Sequence, residues 1–194
     1  RTAYRFFENE FRMITYQTIP DHQKTRIHKQ IAFILEETHK DNLKLHARMI
    51  AYHATQAGMY ETGYRYYLMA TETALLLKSY RDALTLIRSC WEIADGAPKL
   101  VVTPEQKVKL KTLEIICNYQ AGLPSQVLAN AETFTPAERE MLLPEEQLSI
   151  EEAIGFSELE FGDQTKGLRS LRSLVTQSQY PAVAFHSAYA LFGF

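Results

Sequence analysis

Apolar residues recur along this chain at intervals of three and four, the period of an amphipathic helix, and the alternation typical of strands is scarce. Glycine and proline break the pattern at intervals, where they end helices or occupy their first turns. One short segment, Tyr4–Phe7, alternates and is predicted as a single N-terminal strand. We therefore expect an all-α fold, with helices over approximately residues 21–39, 43–57, 61–77, 81–94, 104–122, 145–161, 166–177 and 181–192.

Several helix ends are marked by specific residues. Asp21, after Pro20, is predicted as an N-cap, and Gly58 stands where a helix ends in a left-handed conformation. Two sequences predict capping boxes, each with a threonine cap, a proline at the first helical position and Gln or Glu three residues after the cap. These sequences begin at Thr103 and Thr135, and the second lies in a stretch, 124–144, that we interpret as an irregular joint within a helical array.

Small and aromatic residues recur in an order that is typical of two antiparallel helices crossing closely. The pattern resembles the second half of the tetratricopeptide repeat, in which small residues occupy the crossing and large ones fill the adjacent holes. This resemblance implies an α-α superhelix of degenerate helical hairpins, because Tyr60 and Tyr80 are twenty residues apart instead of thirty-four. Gly167 and Leu171 give a weaker echo of the same pattern. The residues that carry it are Gly58, Tyr60, Gly63, Tyr67, Ala70, Tyr80 and Ala83.

A second resemblance covers about Tyr4 to Ala94. It is similar to the region of large signalling ATPases where a winged-helix module meets a helical array, as in the C-terminal region of soluble-type adenylyl cyclases, in ATPases fused to cyclase domains and in LuxR-like regulators. The family usually has a Phe-x-His near the start of this region, which Phe6-Phe7-Glu8-Asn9 lacks. The residues that match in identity and spacing are Tyr16, Ile19, His28, Ala32 and Glu36.

This second resemblance implies that residues 1–20 end a preceding winged-helix-like module and that 21–98 form the degenerate array. Beyond Ala94 the helical pattern alone predicts that 99–194 continue the array. Because the chain lacks an initiator Met and stops inside an apolar helix, we expect both ends to continue in a larger protein. The segment Tyr4–Ile19 holds more apolar side chains than one helix can bury, so we expect part of its surface to need the upstream module.

Composition and charge are those of an ordinary globular segment, with 46% hydrophobic residues and a formal net charge of -2. Because acidic and basic residues nearly balance, the net charge would not attract nucleic acid electrostatically. No apolar run is long enough for a membrane span. No signal peptide is recognisable. Cys90 and Cys117 lie among apolar neighbours in predicted helices. We expect buried free thiols in the cytoplasm, with a disulfide between them as the alternative.

No residue can be assigned to a reaction, and we predict no catalytic, cofactor or metal site. His46 and His53 lie on one predicted helix and His28 on the preceding one, but no HExxH or CxxC pair supplies zinc ligands at short spacing. His28 is interpreted as a structural residue that hydrogen-bonds across the first helix junction. The glutamate pairs at 145–146 and 151–152 fit a solvated helix face. The lysines at 107, 109 and 111 spread around their helix and form no nucleic-acid stripe, and neither a Walker A loop nor a G-x-S-x-G turn is present.

The pattern predicts an interaction segment. We expect some of Tyr64, Arg65 and Tyr66 to point outward and form a partner-binding face. The leading hypothesis is a non-catalytic scaffold that binds protein partners and neighbouring domains of the same chain, within a soluble-type nucleotide cyclase or related ATPase. The alternatives are the ligand-sensing array of a LuxR-like ATP-dependent transcription regulator and a stand-alone adaptor.

Overall fold

The computed structural model describes residues 9–97 and 100–177. About 85% of these residues are helical and no strand occurs among them, which confirms the all-α prediction. The predicted strand Tyr4–Phe7 and the predicted helix at 181–192 lie outside the described residues. A 3₁₀ turn, Lys40–Asn42, precedes the third of the helices, which are α1 (Asn9–Thr18), α2 (Asp21–Thr38), α3 (Leu43–Gln56), α4 (Tyr60–Leu76), α5 (Tyr80–Gly96), α6 (Pro104–Gln120), α7 (Pro124–Glu132), α8 (Pro136–Glu140), α9 (Pro144–Phe161) and α10 (Gln164–Gln177).

The helix starts follow the sequence signals in most places. Thr103 and Thr135 both cap their helices through complete capping boxes, with Gln106 and Glu138 as the returning side chains. The prediction for Asp21 is wrong: Pro20 occupies the N-cap position without a side-chain hydrogen bond, and Asp21 is the first helical residue. Its carboxylate still lies where the helix dipole favours negative charge.

Neighbouring helices pack in chain order from α2 to α6. Side chains also connect helices that are two apart in chain order. Glu36 of α2 accepts a hydrogen bond from Tyr66 of α4, and Lys109 of α6 forms an ion pair with Glu72 of α4. Arg48 of α3 pairs with Asp82 of α5 at 2.6 Å.

Two hydrophobic clusters meet at α6. The first runs from α3 to α6 and includes Leu110, and the second runs from α6 to α9 and includes Ile115. Both side chains are fully buried, each contributing roughly 1.5–3 kcal/mol relative to an exposed position. Helix α6 therefore has two apolar faces, and each of them is covered by a different cluster.

The irregular joint expected at 124–144 corresponds to two short helices, α7 and α8, and the start of α9. Pro124, Pro136 and Pro144 each open one of these helices. Phe134 and Leu142, between the helices, are buried in the second cluster. The joint thus belongs to the packed core.

Candidate functional site

A close helix crossing joins α3 to α4. Gly58 has a φ of +71°, a left-handed conformation that favours glycine and turns the chain between the two helices. Gly63 faces α3, where an added Cβ would overlap Thr55 Oγ1 and lie 3.5 Å from the carbonyl oxygen of Ala51. The backbones can approach this closely because Gly63 has no side chain.

The other residues of the repeat pattern lie along α4 and α5. Ala70 and Ala83 are buried in the first cluster, and Tyr67 packs against it while half-buried. Tyr60 and Tyr80 are the first residues of α4 and α5. Their assignment to a particular repeat stays a prediction.

A second close crossing joins α9 to α10 through two further glycines. A Cβ on Gly167 would lie 2.7 Å from the carbonyl oxygen of Gly155, and a Cβ on Gly155 would lie 2.8 Å from Leu171 Cδ2. Gly167 and Leu171 belong to the weaker match to the repeat pattern in the sequence. Gly155 was not predicted as a crossing residue because it stands outside the repeat spacing.

The junction residues are partly linked to one another. Tyr16 Oη lies 2.7 Å from Nε2 of His28, and Ala32 is fully buried on the same helix. Ile19 is half-buried in the connection between α1 and α2. Glu36 lies near the end of α2 and accepts a hydrogen bond from Tyr66 at 2.6 Å. The hydrogen bond expected from His28 across the first junction is therefore present, while its relation to an upstream module stays a prediction.

The histidines form two pairs between α2 and α3. His28 and His53 face each other with their Nδ1 atoms 2.8 Å apart, and burial lowers the pKa of both. His39 and His46 stack with ring centroids 3.6 Å apart. In the described part of the chain, no three His, Cys, Asp or Glu side chains come together as a metal-binding group.

The predicted partner-binding face needs a correction. Tyr64 and Tyr66 are each only 4% exposed, because α4 is covered by α3 and α5 and by contacts from α2. Burial is the main cause that raises the pKa of both hydroxyls to about 12. Of the three residues, Arg65 alone projects to the surface, where it lies 3.6 Å from Glu36.

A groove of about 1050 Å³ lies beside α4 and the segment that leads into α6. Its apolar lining includes Leu68, Met69 and Val101, and Arg65 and Glu72 supply charge. A groove of this volume is at the upper end of the range for small-molecule sites and is also open enough for a peptide.

Among the side chains whose burial the structure describes, the largest concentration of exposed apolar ones lies on the first three helices. Phe11 and Ile14 of α1 are 61% and 58% exposed, and α3 exposes a stripe at spacings of four and three. We call this set the N-terminal apolar surface. It consists of Phe11, Met13, Ile14, Tyr16, Ile27, Phe33, Ile34, Leu45, Met49 and Tyr52.

Both cysteines are buried, and two of the three lysines at the start of α6 form ion pairs. Both cysteines are free, and burial raises the pKa of the Cys90 thiol to about 12 and that of the Cys117 thiol to about 11. Lys109 binds Glu72 of α4 and Lys111 binds Glu138 of α8, so these two lysines reach different neighbouring helices.

The acidic residues of α9 differ in part from the solvated face that was expected. Glu152 is half-buried. Glu158, which the sequence did not single out, is buried, and it accepts hydrogen bonds from the Asp163 backbone N–H at 2.8 Å and from Lys166. These bonds lower the pKa of Glu158, with the Lys166 contact the largest cause. Its role is to hold α10 against α9.

Within residues 9–97 and 100–177, no helix has the length and apolar character needed to cross a membrane.

Comparison with known proteins adds no assignment. No protein-family model matches the chain, and neither a curated protein nor a solved structure matches it.

Proposed function

We propose that this chain is a non-catalytic helical-repeat segment of a large multidomain signalling protein, where it joins neighbouring modules and binds protein partners. The observation that carries the proposal is the N-terminal apolar surface, which the described residues leave uncovered. Its ten side chains are about half exposed on average and present on the order of 600 Å² of apolar area. Summed over these side chains, that area approaches one side of a standard protein interface.

The proposed occupant of this surface is the module that precedes α1 in the parent protein. Two observations support this choice. The surface is concentrated on the first helices of the array, and Tyr16, His28, Ala32 and Glu36, which resemble the junction after a winged-helix module, lie on the same helices. An adjacent module of the same chain would cover the surface without the entropic cost of bringing two molecules together.

The architecture proposed for the segment is a tetratricopeptide-like superhelix. The contacts that join α2 to α4, α3 to α5 and α4 to α6 support two layers of alternating helices, as in a solenoid. The close crossing at Gly63 supports a helical hairpin. A stack of this kind fixes the distance between the modules at its ends.

The parent is proposed to be a soluble-type nucleotide cyclase or a related ATPase, on the strength of the junction residues alone. Two buried free cysteines agree with a reducing compartment such as the cytoplasm. The parent would bind nucleotide in other parts of its chain.

The groove beside α4 favours a second candidate, the ligand-sensing array of a LuxR-like regulator. Its volume of about 1050 Å³ is suited to a small molecule or peptide. A DNA-binding helix-turn-helix after Phe194 in the parent would support this candidate, and cyclase metal-binding aspartates with a Walker A loop upstream would support the first.

Sedimentation velocity tests whether the N-terminal apolar surface drives association. If nothing covers it, the chain should self-associate at micromolar concentrations, and the double substitution Phe11→Ser and Ile14→Ser should make it monomeric. The matched control is Leu76→Ser with Leu77→Ser, which removes two side chains that are 77% and 74% exposed at the end of α4. This control should associate like the wild type. A wild-type chain that sediments as a monomer with Phe11 protected from solvent would contradict the proposal.

A further inference from the structure

Hydrogen-bond contacts join the first three helices in a row. Tyr16 Oη of α1 lies 2.7 Å from Nε2 of His28 on α2, and Nδ1 of His28 lies 2.8 Å from Nδ1 of His53 on α3. The ring of Tyr52 packs edge-on against both imidazoles. His28 is buried in the middle and uses both ring nitrogens. The protonation of the two imidazoles therefore decides whether the row of contacts can exist.

The contact between the two Nδ1 atoms has room for one hydrogen, so one imidazole must donate and the other accept. In one arrangement the Tyr16 hydroxyl donates to Nε2 of His28, and Nδ1–H of His28 donates to His53. In the other, Nδ1–H of His53 donates to His28, whose Nε2–H donates to the Tyr16 oxygen. The second arrangement survives when His53 takes up a proton at Nε2. Protonation of both rings places a hydrogen on each of the facing Nδ1 atoms and breaks the contact.

Within residues 9–97 and 100–177, no ion pair or hydrogen bond brings a negative charge to either imidazole. On α1 the titratable neighbour is Tyr16, and on α3 it is Tyr52. On α2 the ammonium of Lys24 lies 5.2 Å from the centre of the Tyr16 ring. Among the described residues, no carboxylate pairs with either imidazole, and α4, which also packs on α3, brings no charged side chain into hydrogen-bond or ion-pair contact with them.

The described side chains of helix α1 bury little surface against the other helices. Every α1 side chain whose burial the structure describes is exposed, and Tyr16, at 40%, is the least exposed of its large apolar residues. We propose that Tyr16, His28 and His53 form an acid-labile clamp, which attaches α1 to α2 and α3 at neutral pH and releases it when both imidazoles are protonated. The clamp is independent of the proposed function, because it acts within this chain whether or not a module covers its surface.

The direction of the pH dependence follows from the clamped state. Burial lowers the pKa of both histidines, and the adjacent His28 lowers that of His53 further. The released state therefore binds protons more tightly. Attachment is complete above the ordinary histidine pKa of about 6.5 and is lost as the pH falls through the lowered values of the clamped state. In the pH range where release of α1 takes up one proton, the equilibrium constant for release rises about tenfold for each unit by which the pH falls.

Hydrogen exchange of the α1 amides in the full chain, corrected for intrinsic rates, tests the clamp between pH 7.5 and 5. The wild type should lose α1 protection as the pH falls, while α4 and α5 stay protected. Tyr16→Phe removes the hydroxyl and keeps the ring, so α1 should be open at every pH. His53→Asn places an oxygen near the position of Nδ1 that accepts a hydrogen bond from either charge state of His28, so α1 should stay attached in acid.

The matched control is His46→Asn, because the stacked pair of His39, which follows the last residue of α2, and His46 of α3 forms no hydrogen bond between its rings. This variant should keep the wild-type pH dependence. Any of three results would overturn the clamp. The first is a wild-type α1 protection that does not change with pH, and the second is release of α1 in the His53→Asn variant at the same pH as in the wild type. The third is loss of protection in α4 and α5 together with α1 in the wild type.

Discussion

Substitution of Gly63 by alanine should destabilise the chain, although alanine is the better helix former. Alanine inside a helix gains roughly 0.5–1 kcal/mol over glycine. At this position the new Cβ would overlap Thr55 Oγ1, which is held by a hydrogen bond of 2.8 Å to the carbonyl oxygen of Ala51. Overpacking of this kind costs about 1–3 kcal/mol, so the net loss in free energy of unfolding should be on the order of 1 kcal/mol.

A double-mutant cycle isolates the cause. In a Thr55→Ala background the overlapping oxygen is absent, and the nearest remaining atoms are 3.4 Å and 3.5 Å from the added Cβ. Gly63→Ala should then be neutral or stabilising, which corresponds to a coupling energy of about 1–3 kcal/mol between the two sites. Urea denaturation followed by circular dichroism and Trp91 fluorescence measures all four proteins.

Gly96→Ala is the matched control, because a Cβ there meets nothing within 4 Å at the end of α5. That variant should be as stable as the wild type or more so. A Gly63→Ala variant that is stabilised like the control, or a cycle with no coupling, would refute the close crossing of α3 and α4.

Three further predictions concern the core and the chemistry of the chain. Ala83→Trp should lower the free energy of unfolding by about 1–3 kcal/mol, because Ala83 of α5 is fully buried in the first cluster, and an unchanged melting temperature would contradict that packing. Cys90 and Cys117 should react with Ellman's reagent at pH 8 only after denaturation, since both thiols are buried with raised pKa values; rapid labelling of the native chain would contradict this. The purified chain should neither hydrolyse ATP nor form cyclic nucleotide, and turnover that is lost on substituting one of its own residues would disprove the non-catalytic assignment.

The helices themselves could be predicted from the sequence, because their signals are local. The capping residues Thr103 and Thr135 and the left-handed Gly58 act within a few residues of their own positions. Asp21 was placed one position wrong, since Pro20 can also precede a helix and the two candidate N-caps are adjacent.

The burial of particular side chains could not be predicted in the same way. Tyr64 and Tyr66 point in different directions on α4, yet both are buried because the helices before and after α4 pack against it from different sides. The position of Glu158 likewise depends on α10 folding back to bring Lys166 to it. The N-terminal apolar surface could be anticipated as an excess of apolar residues, but its extent onto α3 required the packing of α3 against α2.

Hydroxyl-radical footprinting at Met13 and Met49 is the most direct test of the proposal that an upstream module covers the N-terminal apolar surface. Both methionines are exposed in this chain, and Met141, exposed in the α7–α9 joint, serves as the internal reference. In a parent polypeptide that includes the residues preceding Arg1, oxidation of Met13 and Met49 should fall several-fold while that of Met141 stays constant. Equal oxidation of Met13 and Met49 in the longer and shorter chains would contradict the proposed role.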